Sequence, residues 1–203
     1  MTRIMNTLQL LGLFLAGLTV TAGLGANVGC KQAHEKVKGV GDTLQAFIIR
    51  DAGSGERYCQ VCAYGGRPTI FAVGDMDDAG FVQDLEKIQA LLDEHKEAEL
   101  SAFALLGKIS GGHFTPLADE DGALTKLAAL RKEKGLTMPV TIVPNQLTDK
   151  EKKDYAPFTE IYEIGKSRTV MMAKANNQII YVGTMDGSEA TYAALSEAVK
   201  KGL

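Results

Sequence analysis

The 203-residue sequence predicts a single α/β domain, a mixed sheet with helices on both faces. Three observations carry that prediction. Short apolar runs (TIFAV from Thr69, LSAFALL from Leu100, MPVTIV from Met138) have the length and composition of strands buried on both faces. The segments between them space their apolar residues at helical intervals. Near the C-terminus, RTVMMAK and QIIYVG flank Ala175-Asn176-Asn177, and asparagine tolerates the left-handed turn of an antiparallel hairpin. Strand, helix, strand, helix, strand, then hairpin and helix, is the order of a mixed sheet.

The N-terminal segment differs from the rest. Arg3 is the only charge before Lys31, and residues 8–20 (LQLLGLFLAGLTV) form an apolar run of signal-peptide length, followed by small residues. Residues 1–29 are therefore expected to be a signal peptide, and residues 30–43 a polar tether ahead of a domain over 44–203. Cleavage could follow Val20-Thr21-Ala22 or Leu24-Gly25-Ala26. Alternatively, Gly29-Cys30 is similar to the end of a bacterial lipobox, with Cys30 lipidated, although Asn27 stands where such sequences usually carry Leu. An uncleaved anchor is a further reading, since residues 8–29 carry no charge. Of three cysteines, Cys59 and Cys62 are left as a pair once Cys30 is set aside, which suits an oxidising compartment.

The first strand is expected from Leu44 (LQAFIIRD), followed by a loop dense in turn signals that ends at Pro68. After TIFAV and GDMDDAG, a helix is expected from Gly80 to Lys96, with Phe81, Leu85, Ile88 and Leu92 as its buried stripe. Another is expected from Gly122 to Lys134, with Leu124, Leu127 and Ala128 inward and Gly135 as a left-handed cap. Thr148 and Glu151 have capping-box spacing, and Pro157 can open a second short helix through Tyr162. Asp186 or Ser188 caps the last helix, whose inner face carries Tyr192, Leu195 and Val199.

Composition excludes several classes of function. Apolar residues make up 45% and charged residues 23%, as in an ordinary globular domain, and the net charge of −3 offers no footprint for nucleic acid. An anionic membrane surface would not attract the chain, so any membrane contact would come through a lipid or the N-terminal segment.

Four segments carry a family resemblance: GERYCQVCAYGGRP, RPTIFAV, MPVTIVPN with the later YEIG, and RTVMMAKANNQIIYVG. Together they resemble the redoxin branch of the thioredoxin superfamily, and a group of exported redoxin-like bacterial proteins within it. The likeness runs from about Leu44 to the C-terminus. It implies a thioredoxin-like fold and thiol-disulfide exchange, with Cys59 attacking and Cys62 resolving, and thiols of envelope proteins as partners. No cofactor is implied.

The sequence departs from the family pattern twice. The Cys-x-x-Cys of thioredoxins follows the central strand, whereas Cys59 and Cys62 precede TIFAV, and Gly74-Asp75-Met76-Asp77-Asp78 holds the usual place. A five-residue strand spans about 16 Å, so the cysteines are expected at the N-terminal edge of TIFAV, away from Asp75 and Asp77. The place of the usual cis-proline before the hairpin is held by Arg168.

Cys59-Gln60-Val61-Cys62 closes too small a ring to stabilise much by loop closure, which suits a redox pair. Arg57 and Arg67 would favour a thiolate, and a single helical turn from Cys59, ended by Gly65, would help it. The alternatives are a binding module in which the disulfide is structural, and a copper carrier, for which His34, His95 and His113 are the available imidazoles. The acidic groups Asp75, Asp77, Asp78 and Asp119-Glu120-Asp121 read as helix caps before cation ligands. Arg168 reads as a solvated or paired arginine, and Met171-Met172 as core.

Overall fold

The computed structural model describes residues 36, 37 and 39–203. The signal-peptide reading, Cys30 and His34 lie outside the described residues. The strands are β1 (Ile48–Asp51), β2 (Arg57–Cys59), β3 (Thr69–Asp75), β4 (Ser101–Ser110), β5 (His113–Thr115), β6 (Val140–Ile142), β7 (Thr169–Ala173) and β8 (Ile179–Thr184). The helices are α1 (Gln60–Ala63), α2 (Ala79–Glu94), α3 (Glu120–Glu133), α4 (Glu151–Asp154), α5 (Phe158–Ile161) and α6 (Glu189–Gly202). The sheet runs β2-β1-β6-β4-β3-β7-β8, with β5 appended to β4. β6, β4 and β3 are parallel, and β1, β7 and β8 join antiparallel, so the sheet is mixed as expected.

Alternation along the central strands sorts the core into two faces. Ile70, Ala72, Ala104, Leu106, Val170 and Met172 point to one side, where α2, α3 and α6 cover them. Phe71, Val73, Phe103, Leu105 and Met171 point to the other, where the covering is α1, α5 and the segment that leads into β1. Helices thus lie on both faces, but all three long ones share one side.

The apolar stripe of α2 is Phe81, Leu85, Ile88 and Leu91, with Leu92 half-buried beside it. Asp78 caps α2 through Gly80 N–H at 3.0 Å, and Asp119 caps α3 through Gly122 N–H at 2.9 Å. Ser188 caps α6, and Gly135 ends α3 at φ +64°. Thr148 and Glu151 form the expected capping box, each side chain accepting the other's backbone N–H. Asn177 takes the left-handed conformation in the β7–β8 turn, at φ +64°.

Three boundaries differ from expectation. The tether is already part of the domain at Val37, which is buried, bridges Tyr162 and donates its N–H to Ile161 O at 2.9 Å. Regular pairing of β1 begins only at Ile48, because the Tyr162 hydroxyl bonds both the N–H and the C=O of Gln45, each at 2.9 Å. β4 also continues four residues past Leu106 into a hairpin with β5. Gly111 and Gly112 make its turn at φ +60° and +81°, the two-residue hairpin signal that KISGGHFT carries.

Candidate functional site

Cys59 ends β2 and opens α1, and it is joined to Cys62 by a disulfide with Cα atoms 5.2 Å apart. The two sulfurs have unequal surroundings. Cys59 is 7% exposed and packs with Val61 into the Phe71–Phe103 side of the core, whereas Cys62 is exposed. Cys59 Sγ accepts the Cys62 N–H at 3.1 Å, so the helical turn expected after Cys59 is present and the N–H of its third residue is used on that sulfur. The left-handed residue that follows the turn is Gly66, not Gly65. Tyr155 Oη stands 4.0 Å from Cys62 Sγ.

Arg57 does not face the sulfurs. It holds Glu151 through two contacts, Nε at 3.0 Å and Nη2 at 2.6 Å, and donates to Gln146 O at 2.8 Å. These bonds from Arg57, helped by the Thr148 N–H against the opposing effect of burial, hold the Glu151 carboxyl down at about 2. The residue expected to favour a thiolate instead clamps β2 to α4.

The disulfide does not lie at the N-terminal edge of TIFAV. Cys59 faces Ile48; two residues along β1, Arg50 faces Ile142, which faces Leu106, which faces Gly74. That ladder puts Cys59 level with the C-terminal end of β3, but on the outermost strand, about 19 Å across the sheet. The expectation assumed that the loop runs straight into β3. Instead residues 60–68 cross the second face from one end of the sheet to the other. Tyr64 holds that crossing, its hydroxyl donating to Ala102 O at 3.2 Å and its ring 6.2 Å from Phe103.

At the end of β3 the chain builds ion pairs. Asp84, fully buried on α2, takes a two-point salt bridge from Arg168, at 2.6 and 2.8 Å. Arg168 has φ +64°, and no peptide bond among the described residues is cis. Burial alone would raise the Asp75 carboxyl, but N–H bonds from Ile109 and Asp77, with Lys108, hold it below the usual carboxylate range. Ser167 Oγ accepts the Asp75 N–H at 2.9 Å. Asp84 and Tyr155 escaped the sequence reading. An acid three residues after Phe81, inside an apolar stripe, was the available signal for a buried partner. Nothing in the sequence marks Tyr155.

The remaining candidates keep structural roles. Glu120 and Asp121 pair with Arg50, at 3.2 and 2.8 Å, and Met171 and Met172 are core. His95 follows α2 and His113 starts β5, and among the described residues no group of three or more His, Cys, Asp or Glu could hold a metal ion. No described helix is long and apolar enough to cross a membrane.

No family model matches the sequence, and no curated protein matches it. Solved structures do. A thiol peroxidase from Chromobacterium violaceum is similar at TM-score 0.55 and 15% identity, over 83% of this chain and 90% of that one. Peroxidoxin BcpB from Mycobacterium tuberculosis follows at 0.53 and 12%, over 81% and 98%. The thioredoxin domain of a thiol-disulfide oxidoreductase from Bacteroides vulgatus gives 0.52 and 9%, over 80% and 99%. The fold is thioredoxin-like. In this thioredoxin-like frame β3 is the central strand, α2 is the helix that ordinarily opens with the redox cysteines, and β7–β8 is the closing hairpin. The ordinary position therefore holds Asp75, Asp84 and Arg168, while the Cys-x-x-Cys sits at the sheet's outer strand, on the opposite face from the Asp84–Arg168 pair.

Proposed function

We propose that the protein is a thiol-disulfide exchanger whose working pair is Cys59–Cys62, displaced from the usual place in the fold. The observation that carries the reading is the asymmetry of the pair, with Cys62 open to a partner and Cys59 buried with a hydrogen bond to its sulfur. A partner thiolate attacks Cys62 Sγ, the bond to Cys59 breaks, and its electron pair leaves on Cys59 Sγ. The Cys62 N–H is already aimed at that leaving thiolate. A second partner thiolate then attacks the partner sulfur of the mixed disulfide. This releases the partner disulfide and leaves Cys62 reduced. Cys59 is only 7% exposed, so a partner thiolate reaches Cys62 more easily. The roles implied by the family resemblance are therefore exchanged.

Cysteine-to-serine variants test this. Cys59→Ser should accumulate mixed disulfides through Cys62, because Cys59 can no longer displace the partner by re-forming the disulfide. Trapping by Cys62→Ser instead would restore Cys59 as the attacking residue. The competing reading is a structural disulfide in a binding module, favoured by the burial of Cys59. A reduction potential below about −300 mV, with trapping by neither variant, would establish it; an exchanger should fall at roughly −100 to −250 mV.

The location we propose is the cell envelope, with envelope protein thiols as partners. Support comes from the apolar run over residues 8–20 and from Gly29-Cys30. Palmitate labelling should disappear in Cys30→Ser. If no label is incorporated and the mature chain begins near Gly23 or Asn27, the lipid anchor is wrong.

A further inference from the structure

Once Cys62 is reduced, its sulfur must carry a proton or a negative charge, and among the described residues one side-chain hydroxyl stands at hydrogen-bonding range. Tyr155 Oη is 4.0 Å from Cys62 Sγ. In the disulfide that sulfur has no hydrogen, so the contact can run in one direction, from the phenol to sulfur. Loss of the bond to Cys59 frees Cys62 to rotate about χ1, and a thiolate is a far better acceptor than a disulfide sulfur.

Tyr155 is also held in place by α4, which is clamped to the strand that leads into the cysteines. Its N–H donates to Glu151 O at 2.9 Å, closing α4, and the Glu151 carboxylate grips Arg57 on β2, two residues before Cys59. Arg57 reaches Gln146 O as well, at 2.8 Å. The hydroxyl and the disulfide thus sit on opposite ends of one ionic clamp. The Glu151 carboxyl, held at about 2, keeps that clamp closed throughout the range in which a thiol titrates.

We propose that Tyr155 is the hydrogen-bond donor to the Cys62 thiolate of the reduced protein, set in position by the Arg57–Glu151 clamp. This rests on the exchange reading and gives its exposed sulfur, Cys62 Sγ, a stabilising group. In the exchange step Tyr155 keeps its proton. It stabilises the charge on Cys62 Sγ when that sulfur is the attacking thiolate or the leaving group, while electrons pass only between sulfurs.

The test uses the reduced full chain. Iodoacetamide alkylation of Cys62 is followed by mass spectrometry of its peptide between pH 5 and 10. The wild-type midpoint should lie below the free-thiol value of about 8.5, and Tyr155→Phe should raise it by about one unit, a tenfold loss of thiolate below both midpoints. Above both midpoints the equilibrium constant for reduction should fall about tenfold, a potential about 30 mV more negative. Glu151→Gln, which keeps the phenol but opens the clamp, should move the midpoint upward by less. Phenylalanine retains the ring, so the melting temperature of oxidised Tyr155→Phe should stay at the wild-type value. A Cys62 midpoint that is unchanged or lowered in Tyr155→Phe overturns the proposal. The midpoint is read without any partner, so failure of this inference is distinct from failure of Cys59→Ser to trap one.

Discussion

At the scale of single residues, the contact between Asp84 and Arg168 holds a charge inside the core. Asp84 is fully buried, and its two oxygens are each met by the guanidinium, which is itself largely covered. Removing one partner strands a buried charge, which is far worse than never having had the pair. Arg168→Met should therefore destabilise by about 3–5 kcal/mol in urea unfolding. Adding Asp84→Leu should recover most of that loss, because the orphaned carboxylate goes with it. If the double variant is as unstable as the single one, the cost does not arise from a stranded carboxylate.

Elements are joined here by a few polar contacts, and β2 with α4 is the clearest case. β2 is three residues long and outermost, so its ladder to β1 is weak; the Arg57–Glu151 bridge supplies a second attachment. The Glu151 carboxyl is depressed in the folded state, to about 2. A depressed carboxyl contributes stability that is present above its unfolded value of about 4.3 and is lost as pH falls towards the folded value. The melting temperature of Glu151→Gln should fall below wild type at pH 7, and the gap should close between about pH 4.5 and pH 2. A gap that persists unchanged at pH 2 would show that the bridge is not what Glu151 contributes. At the other end of the chain, Ser188→Ala removes the bond that the Thr191 N–H donates to Ser188 Oγ and should cost about 1 kcal/mol.

Taken whole, the molecule is asymmetric about its sheet. One face has α2, α3 and α6; the other is closed by short elements around an aromatic cluster in which Phe71 and Phe103 stack at 4.6 Å. Phe47, Phe158 and Tyr162 complete that cluster from segments far apart in sequence. Phe103→Ala should cost about 3–5 kcal/mol in urea unfolding. It should also speed reduction of the disulfide, because the Tyr64 ring that holds residues 60–68 across the sheet rests against Phe103. Equal reduction rates in variant and wild type would detach the disulfide from this core.

Local pattern by itself determined the buried strands, the long helices and the β7–β8 hairpin. Apolar runs, helical spacing, capping residues and asparagine turns act over a few residues, and burial of an apolar stripe leaves little choice of face. Caps at Asp78, Asp119 and Ser188 and the Thr148–Glu151 box were legible for the same reason. The Cys-x-x-Cys was legible as a pair, but its place was not, since no local rule says how far a loop travels between two strands. Only the sheet order carries β2 to the outer strand and brings residues 60–68 back across the aromatic face. Tertiary structure alone turned Arg57 away from the sulfurs to Glu151, buried Cys59 while leaving Cys62 open, and set Tyr155 beside it. Each of those contacts joins residues far apart in the sequence, from Cys62 to Tyr155 and from Arg57 to Glu151. The free energy of such pairs depends on distance and burial, which a one-dimensional pattern does not contain.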